Sequence, residues 1–263
     1  MNSEIKKNVV EWLQLNKLSI NLKKTHFMIF RKRRVKVNLT EELFINGVKI
    51  DQVEKTKFLG VVIDEHLTFE SHLKYVRGKI SRSLGILCKG RKYFNRNTLL
   101  TLYNVFVYPY FTYCIEVWGN TYQTYLDPLI KLQKRAIRII SFAKRLAHTS
   151  PIFKGLKILS LDEFYVYFVQ LFMFKYYHGT LPGVFSSFFI QNKDVHHHQT
   201  RQHKKLNIAQ FRFEFMYRFV RVTGVRLYNY FDEKLEWRCS YQSYKRKLKS
   251  YLIENDISHT LTA

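Results

Sequence analysis

A change of hydrophobic period near Thr68 constrains this chain most. Downstream of it Leu73, Val76, Ile80, Leu84 and Leu87 recur at intervals of three and four. Lys74, Arg77, Lys79 and Arg82 lie between them, which is the pattern of a basic amphipathic helix. The same period continues. A helix pair is expected over about 97 to 118, bent at Pro109. A further helix is expected from about Tyr122 to Lys144, with Leu126, Leu129, Ile130, Ile137 and Ile140 inward and Lys131, Lys134, Arg135 and Arg138 outward. With only 10 Gly and 4 Pro in 263 residues, long helices are favoured over a many-stranded barrel.

Upstream of Thr68 the pattern is mixed. Ser3 can cap a helix running to about Leu18, with Val9, Trp12, Leu13 and Asn16 on one face. Thr25 to Phe30 reads as a strand, and Asn46-Gly47 between two apolar runs signals a hairpin, because both turn residues tolerate positive φ. Phe58 to Ile63 reads as a further strand. The expected fold class is therefore mainly α with a small α+β N-terminal part.

Toward the C-terminus, Ser150-Pro151 opens a short helix with Ser150 as its cap, and Ser160 to Glu163 form a capping box for an aromatic helix to about Tyr177. Residues 179 to 224 read as irregular, Leu227 to Asn229 as a turn, and Ser240 to Leu252 as a final basic helix.

Charge bounds the partners. Lysine and arginine number 44 against 20 acidic residues, a formal net charge of +24. Such a field attracts polyanions, nucleic acid first and an anionic membrane surface second. The run Arg31, Lys32, Arg33, Arg34, Val35, Lys36 reads either as a solvated strand end or as a phosphate-contacting or nuclear-import patch. Three isolated cysteines, Cys88, Cys114 and Cys239, indicate neither a disulfide framework nor a zinc ribbon. The residues after Met1 form no apolar signal segment, and the longest charge-free stretch, Thr98 to Ile115, fits a packed helix pair better than a membrane span. The expectation is an intracellular protein, nuclear or cytoplasmic and not secreted, whose oligomeric state the sequence leaves open.

Enzymatic centres find little footing. Two-metal phosphoryl transfer needs clustered carboxylates, yet none of the seven aspartates is adjacent to another. Asp64, His66, Glu70 and His72 could bind a metal, but they fall where a strand passes into a helix, and a structural role at the helix start is the preferred reading. His196, His197, His198 and His203 read as a solvated polar loop, and no glycine-rich phosphate loop or nucleophile elbow is present. Expected metal sites are therefore none.

Five stretches together resemble the C-terminal part of the reverse transcriptase of non-LTR (LINE-type, jockey-like) retrotransposons. WLQLNKLSINLKKTHFMIF is similar to the family's W-x(n)-N-x-L-x-x-N-x-x-K-T with its following strand. KFLGVVIDEHLTFESHLKYVRGKI is similar to F/Y-L-G-x-x-x-D-x-x-L-x-x-x-x-H with its basic helix. LYNVFVYPYFTYCIEVWGN matches L-Y-x-x-x-x-x-P-x-x-x-Y-x-x-x-x-W-G, and LIKLQKRAIRII matches L-x-x-x-Q-K-R-A-x-R. VRLYNYFDEKL is a weaker likeness to a terminal L-W-N-x-L-P.

The resemblance implies a division into a partial palm over 1–64, a thumb with connecting helices over 65–148, and a helical C-terminal region over 149–263. It implies that Lys24 lies in motif D, where a cation stabilises the departing pyrophosphate, and that Phe58, Leu59 and Gly60 lie in motif E, the primer grip. Arg31, Lys32, Arg33, Arg34, Lys74, Arg77, Lys131, Lys134, Arg135 and Arg138 become candidates for holding RNA or DNA as primer and template. The family's catalytic aspartates are expected upstream of Met1, so Mg²⁺ is expected only in a complete polymerase, and these residues alone are expected not to polymerise. The family's Cys/His knuckle is absent, as in jockey-like branches. Two other readings stand beside this one: a non-enzymatic basic nucleic-acid-binding protein, and a protein attached to anionic membranes.

Overall fold

The computed structural model describes residues 8, 11–35, 42–45, 47–185, 187–195, 202–203 and 205–255. These residues form two compact units, 1–72 and 73–263. The expected cap Ser3, the apolar Val9, the turn residue Asn46 and the histidines 196 to 198 lie outside the described residues.

In the first unit residues 11–15 are helical, and Leu22–Lys24 forms one 3₁₀ turn. Trp12 is 58% exposed and so does not join a core. Six short strands follow: β1 (His26–Phe27), β2 (Phe44–Ile45), β3 (Val48–Lys49), β4 (Asp51–Gln52), β5 (Lys55–Phe58) and β6 (Val61–Asp64). They pair as β1 parallel to β4, β2 antiparallel to β3, and β5 antiparallel to β6.

Two strand expectations are corrected. The strand over 25–30 contracts to His26–Phe27, because β4 offers it only the partners Asp51 and Gln52. The strand over 58–63 is a tight hairpin instead. Its register pairs Phe58 with Val61, leaving Leu59 and Gly60 as the two turn residues at φ +45° and +85°. Positive φ at both positions matches the twist of the flanking strands, and glycine takes the second without a Cβ clash.

The end of β6 is fixed by side chains. Asp64 Oδ1 accepts from the His66 and Thr68 amides, and Oδ2 from the Phe69 amide at 2.7 Å and the Thr68 hydroxyl. Arg31 donates to both Glu65 carboxylate oxygens, at 3.0 and 2.8 Å, and to the Val35 carbonyl at 2.8 Å. This bidentate fork holds the chain after β1 against the turn after β6.

The second unit is helical, and among the described residues it contains no named strand. The helices are α1 (Glu70–Gly90), α2 (Arg96–Phe106), α3 (Tyr108–Thr112), α4 (Ile115–Trp118), α5 (Gln123–Ile140), α6 (Ser150–Leu156), α7 (Leu161–Tyr177), α8 (Asn192–Val195), α9 (Val220–Phe231) and α10 (Tyr241–Glu254). The inward stripe of α1 is buried as the period requires, from Leu73 to Leu87. On α5 Leu126, Leu129, Ile137 and Ile140 are buried and Ile130 is partly so.

The core is organised around α7. Its capping box is complete: the Ser160 hydroxyl accepts from the Glu163 amide while Glu163 accepts from the Ser160 amide at 2.7 Å. It is buried on most of its circumference and packs against α3, α4, α5, α9 and α10. Glycines permit the closest approaches. A Cβ on Gly119 would lie 2.7 Å from the Tyr165 ring, and one on Gly224 would lie 2.8 Å from Met173 Sδ. Three buried polar side chains find partners outside their own helices. Tyr165 Oη and Thr223 Oγ1 are 2.6 Å apart, Gln170 donates to Tyr244 Oη at 3.0 Å, and Gln133 donates to the Leu159 carbonyl at 2.9 Å.

Several helix boundaries depart from expectation. The pair over 97–118 is three helices, broken at Val107 and again at Cys114, which adopts φ +51°. The fifth helix stops at Ile140 because Phe142 turns left-handed, at φ +56°, and the Ala143 amide bonds back to the Arg138 carbonyl. Thr149, not Ser150, is the cap of α6, and it makes no side-chain cap bond. The expected turn at Leu227 to Asn229 and the end of the expected irregular segment are both inside α9. Burial of Val222, Val225, Leu227 and Phe231 in a helix packed on α7 outweighs the β preference of its three valines and Thr223. No helix among the described residues is long and apolar enough to cross a membrane.

Candidate nucleic-acid interface

In the first unit the candidate residues concentrate on two exposed features. Lys24 ends the 3₁₀ turn Leu22–Lys24 and is exposed. The β5–β6 hairpin presents Phe58 and Leu59 at its tip, 62% and 74% exposed, with the exposed Lys55 and Lys57 on the rising strand. Large apolar side chains this exposed at a hairpin tip contribute little to a core. Gly60 supplies only backbone.

The basic run divides. Arg31 is committed to Glu65 and Val35, so its fork serves the fold. Arg33 lies 3.6 Å from the Glu70 carboxylate, while Lys32 and Arg34 are exposed. His66 and His72 also act locally: His66 Nδ1 is 2.9 Å from the Arg31 carbonyl, and His72 Nδ1 accepts from the Val62 amide at 3.4 Å. Burial, then the charge of Lys57, pushes the His72 pKa down to about 4. Among the described residues no three His, Cys, Asp or Glu side chains converge as a metal site would require. The carboxylate set that two Mg²⁺ ions need is not formed by these residues.

The second unit carries a feature that the helical periods alone do not reveal. The end of α1, the C-terminal half of α5 and the loop after it enclose a groove of about 680 Å³. Arg91, Arg135, Arg138 and Arg145 line it, with Cys88 and Leu146, and no Asp or Glu is among its lining residues. Two of these arginines also brace the loop. Arg91 Nη2 reaches the Ala143 carbonyl at 3.4 Å, and Arg138 Nε donates to the Ala147 carbonyl at 2.9 Å. Arg135 makes only a long contact, 3.9 Å, to Cys88 Sγ, and Arg145 is exposed.

Each guanidinium has five donors, and these contacts of Arg91, Arg135 and Arg138 use one each. Four cations without a carboxylate form a strong positive field suited to polyanion phosphates. Phe142 sits beside it, 45% exposed, with the Arg91 guanidinium 5.5 Å from its ring centre. Leu146 is 89% exposed.

Of the helical candidates, Arg135 and Arg138 enter this groove. Lys74 and Arg77 are exposed on α1 and Lys131 on α5, while Lys134 lies beside Asp162, whose carboxyl is raised by burial and partly lowered by that lysine. Arg91 and Arg145 were not among the residues singled out by spacing. The signal available for them was the two basic clusters, Lys89 to Lys92 and Lys144-Arg145, that flank the amphipathic helices.

The chain is also similar to known proteins. The chain is 22% identical over 156 residues to the probable RNA-directed DNA polymerase from transposon X-element of Drosophila melanogaster. It is 27% identical over 158 residues to that from transposon BS of the same species, and 28% identical over 123 residues to the RNA-directed DNA polymerase from mobile element jockey of Drosophila funebris. Part of this chain is thus similar to part of RNA-directed DNA polymerases from transposons and mobile elements. The first two matches cover 58% of the chain and 17% of each relative, so the chain spans about a sixth of the length of the curated relatives it matches. The jockey match covers 45% of the chain and 13% of that relative. No family model and no solved structure matches the chain.

Proposed function

We propose that this chain is the palm-edge, thumb and C-terminal part of a LINE-type reverse transcriptase, and that these 263 residues bind primer and template without polymerising. In this reading 1–64 is the palm edge, 65–148 the thumb with its connecting helices, and 149–263 the C-terminal helical region. Lys24 stands at motif D, where its charge would stabilise a departing pyrophosphate. Phe58, Leu59 and Gly60 form the primer grip, and the exposed hairpin tip supports that role. Lys32, Arg34, Lys74, Arg77 and Lys131 add backbone contacts.

The observation that carries nucleic-acid binding is the groove of Arg91, Arg135, Arg138 and Arg145 with no acidic lining residue. Polymerisation requires carboxylates holding metal against the phosphates, and the described residues bring no such set together. Fluorescence anisotropy with RNA–DNA and DNA primer-templates should show affinity falling steeply with salt, because each neutralised phosphate releases counterions. Salt-independent binding, or preference for anionic vesicles over nucleic acid, would sink the assignment. Primer extension with template, Mg²⁺ and deoxynucleotides should give no product, and extension by the purified chain would refute the inactivity.

A further inference from the structure

The structure assigns a second anion site, apart from the arginine groove, to a small cavity where α2, α3, α7 and α10 meet the residues after α6. Its volume is about 110 Å³, well under the roughly 300 Å³ at which pockets for cofactor-sized ligands begin. Its polar lining is Tyr103, Asn104, Tyr108, Lys157, Tyr167 and Lys249, and no acidic residue lines it. We propose that it binds a compact phosphate, as inorganic phosphate or as the terminal phosphate of a nucleic acid.

Three observations converge. First, two exposed lysines border the cavity and no acidic residue lines it. Burial, then the nearby Lys157 charge, lowers the pKa of Lys249, and neither lysine forms an ion pair among the described residues. Like charges at one cavity mouth repel each other, and an anion between them relieves that repulsion.

Second, Lys157 occupies the left-handed cap of α6, at φ +52°, a position where glycine is the usual residue. A lysine there carries a conformational cost that glycine would not. Third, the cavity offers directed hydroxyls. Tyr103 is fully buried; its oxygen accepts from Gln133 Nε2 at 3.5 Å, which leaves its own proton to donate. Tyr108 and Tyr167 line the same cavity.

Two ammonium groups and up to three phenol donors match the oxygens of a phosphate dianion, and the space excludes a nucleoside. The site does not rest on the polymerase reading, and the two fail separately.

Isothermal titration of the full chain with inorganic phosphate at pH 7.5 tests it, with sulfate as competitor and chloride as control. Saturable binding is expected, weakened at least tenfold by Lys249→Gln and by Lys157→Gln, and severalfold by Tyr103→Phe. Arg246→Gln, exposed on α10 and lining neither site, should leave phosphate affinity unchanged. In wild-type protein, phosphate should also move the Lys249 ammonium titration upward, read by NMR, which a merely structural lysine would not show.

Oligonucleotides bearing a 5′-phosphate or a 5′-hydroxyl separate the sources. A preference for the phosphorylated end that disappears in Lys249→Gln assigns the terminal phosphate; equal oligonucleotide binding with phosphate binding intact assigns the free ion. Absence of saturable phosphate binding to the wild-type chain overturns the site. So does unchanged affinity in both lysine variants at wild-type melting temperature.

Discussion

Replacing Arg135 and Arg145 by glutamine should reduce nucleic-acid affinity and, more tellingly, flatten its salt dependence. These two are chosen because they brace nothing: Arg145 is exposed and Arg135 makes only the long contact to Cys88, whereas Arg91 and Arg138 hold the carbonyls of Ala143 and Ala147. On a single strand each neutralised phosphate contributes about 0.7 to the slope of log affinity against log salt, and on duplex DNA about 0.9. Four arginines in the groove then contribute a slope of about 2.8 on single strands, and the double variant keeps about 1.4. Between 50 and 200 mM salt the groove's contribution should fall about 50-fold in the wild type but only about 7-fold in the variant. Anisotropy titrations at four salt concentrations measure both slopes, with thermal melting as the folding control. Exposed substitutions of this kind cost about 0.5 kcal/mol or less, so the melting temperature should hold. A variant with reduced affinity but an unchanged slope would refute the reasoning, because the lost contacts would not be with phosphates.

Gly119→Ala should destabilise the second unit by about 2–3 kcal/mol, because its Cβ would meet the Ile115 carbonyl oxygen at 2.6 Å and the Tyr165 ring at 2.7 Å; calorimetry should show a loss of about 5–10 °C. Arg31→Ala should cost about 2–3 kcal/mol in urea unfolding, since the Glu65 side chain, 8% exposed, loses its bidentate partner. His72 accepts a proton near pH 6.5 when unfolded but only near 4 when folded, so its stabilising effect is complete above about 6.5. Stability should then fall toward pH 4 by at most about 3 kcal/mol, and His72→Asn should flatten that stretch of the pH–stability curve. Phe58→Ser with Leu59→Ser should leave melting unchanged, because both side chains are mostly exposed, while primer-template affinity falls severalfold; unchanged affinity would remove the grip assignment.

What the sequence made legible follows from the range of the forces involved. The capping box at Ser160, the stripe from Leu73 to Leu87 and the β2–β3 hairpin are specified by residues within a few positions of one another, and all three form where expected. Misplaced elements depend on distant partners. Val220 to Phe231 carries β-branched residues, yet it is helical because Gly224 lets it approach Met173 and because Thr223 meets the Tyr165 hydroxyl. The run from Phe58 to Ile63 has the composition of one strand. A pair of residues at positive φ divides it, and only the partner register reveals that.

The same distinction separates the charged residues. Charge pattern alone assigns Arg31, Arg135 and Arg138 equally to a basic surface, but their fates depend on what the tertiary structure puts beside them. Arg31 meets the Glu65 carboxylate and is neutralised within the fold. Arg135 and Arg138 meet Arg91 and Arg145, brought in by the end of α1 and the turn at Phe142, in a groove with no acidic lining residue. Net charge therefore indicates attraction to polyanions, while the uncompensated clusters decide where one is held. The left-handed Phe142 is the pivot of that argument. By ending α5 it places Arg145 across from Arg135 rather than another turn along the same helix, so a substitution favouring continued helix would remove a cation from the groove without changing the charge of the chain.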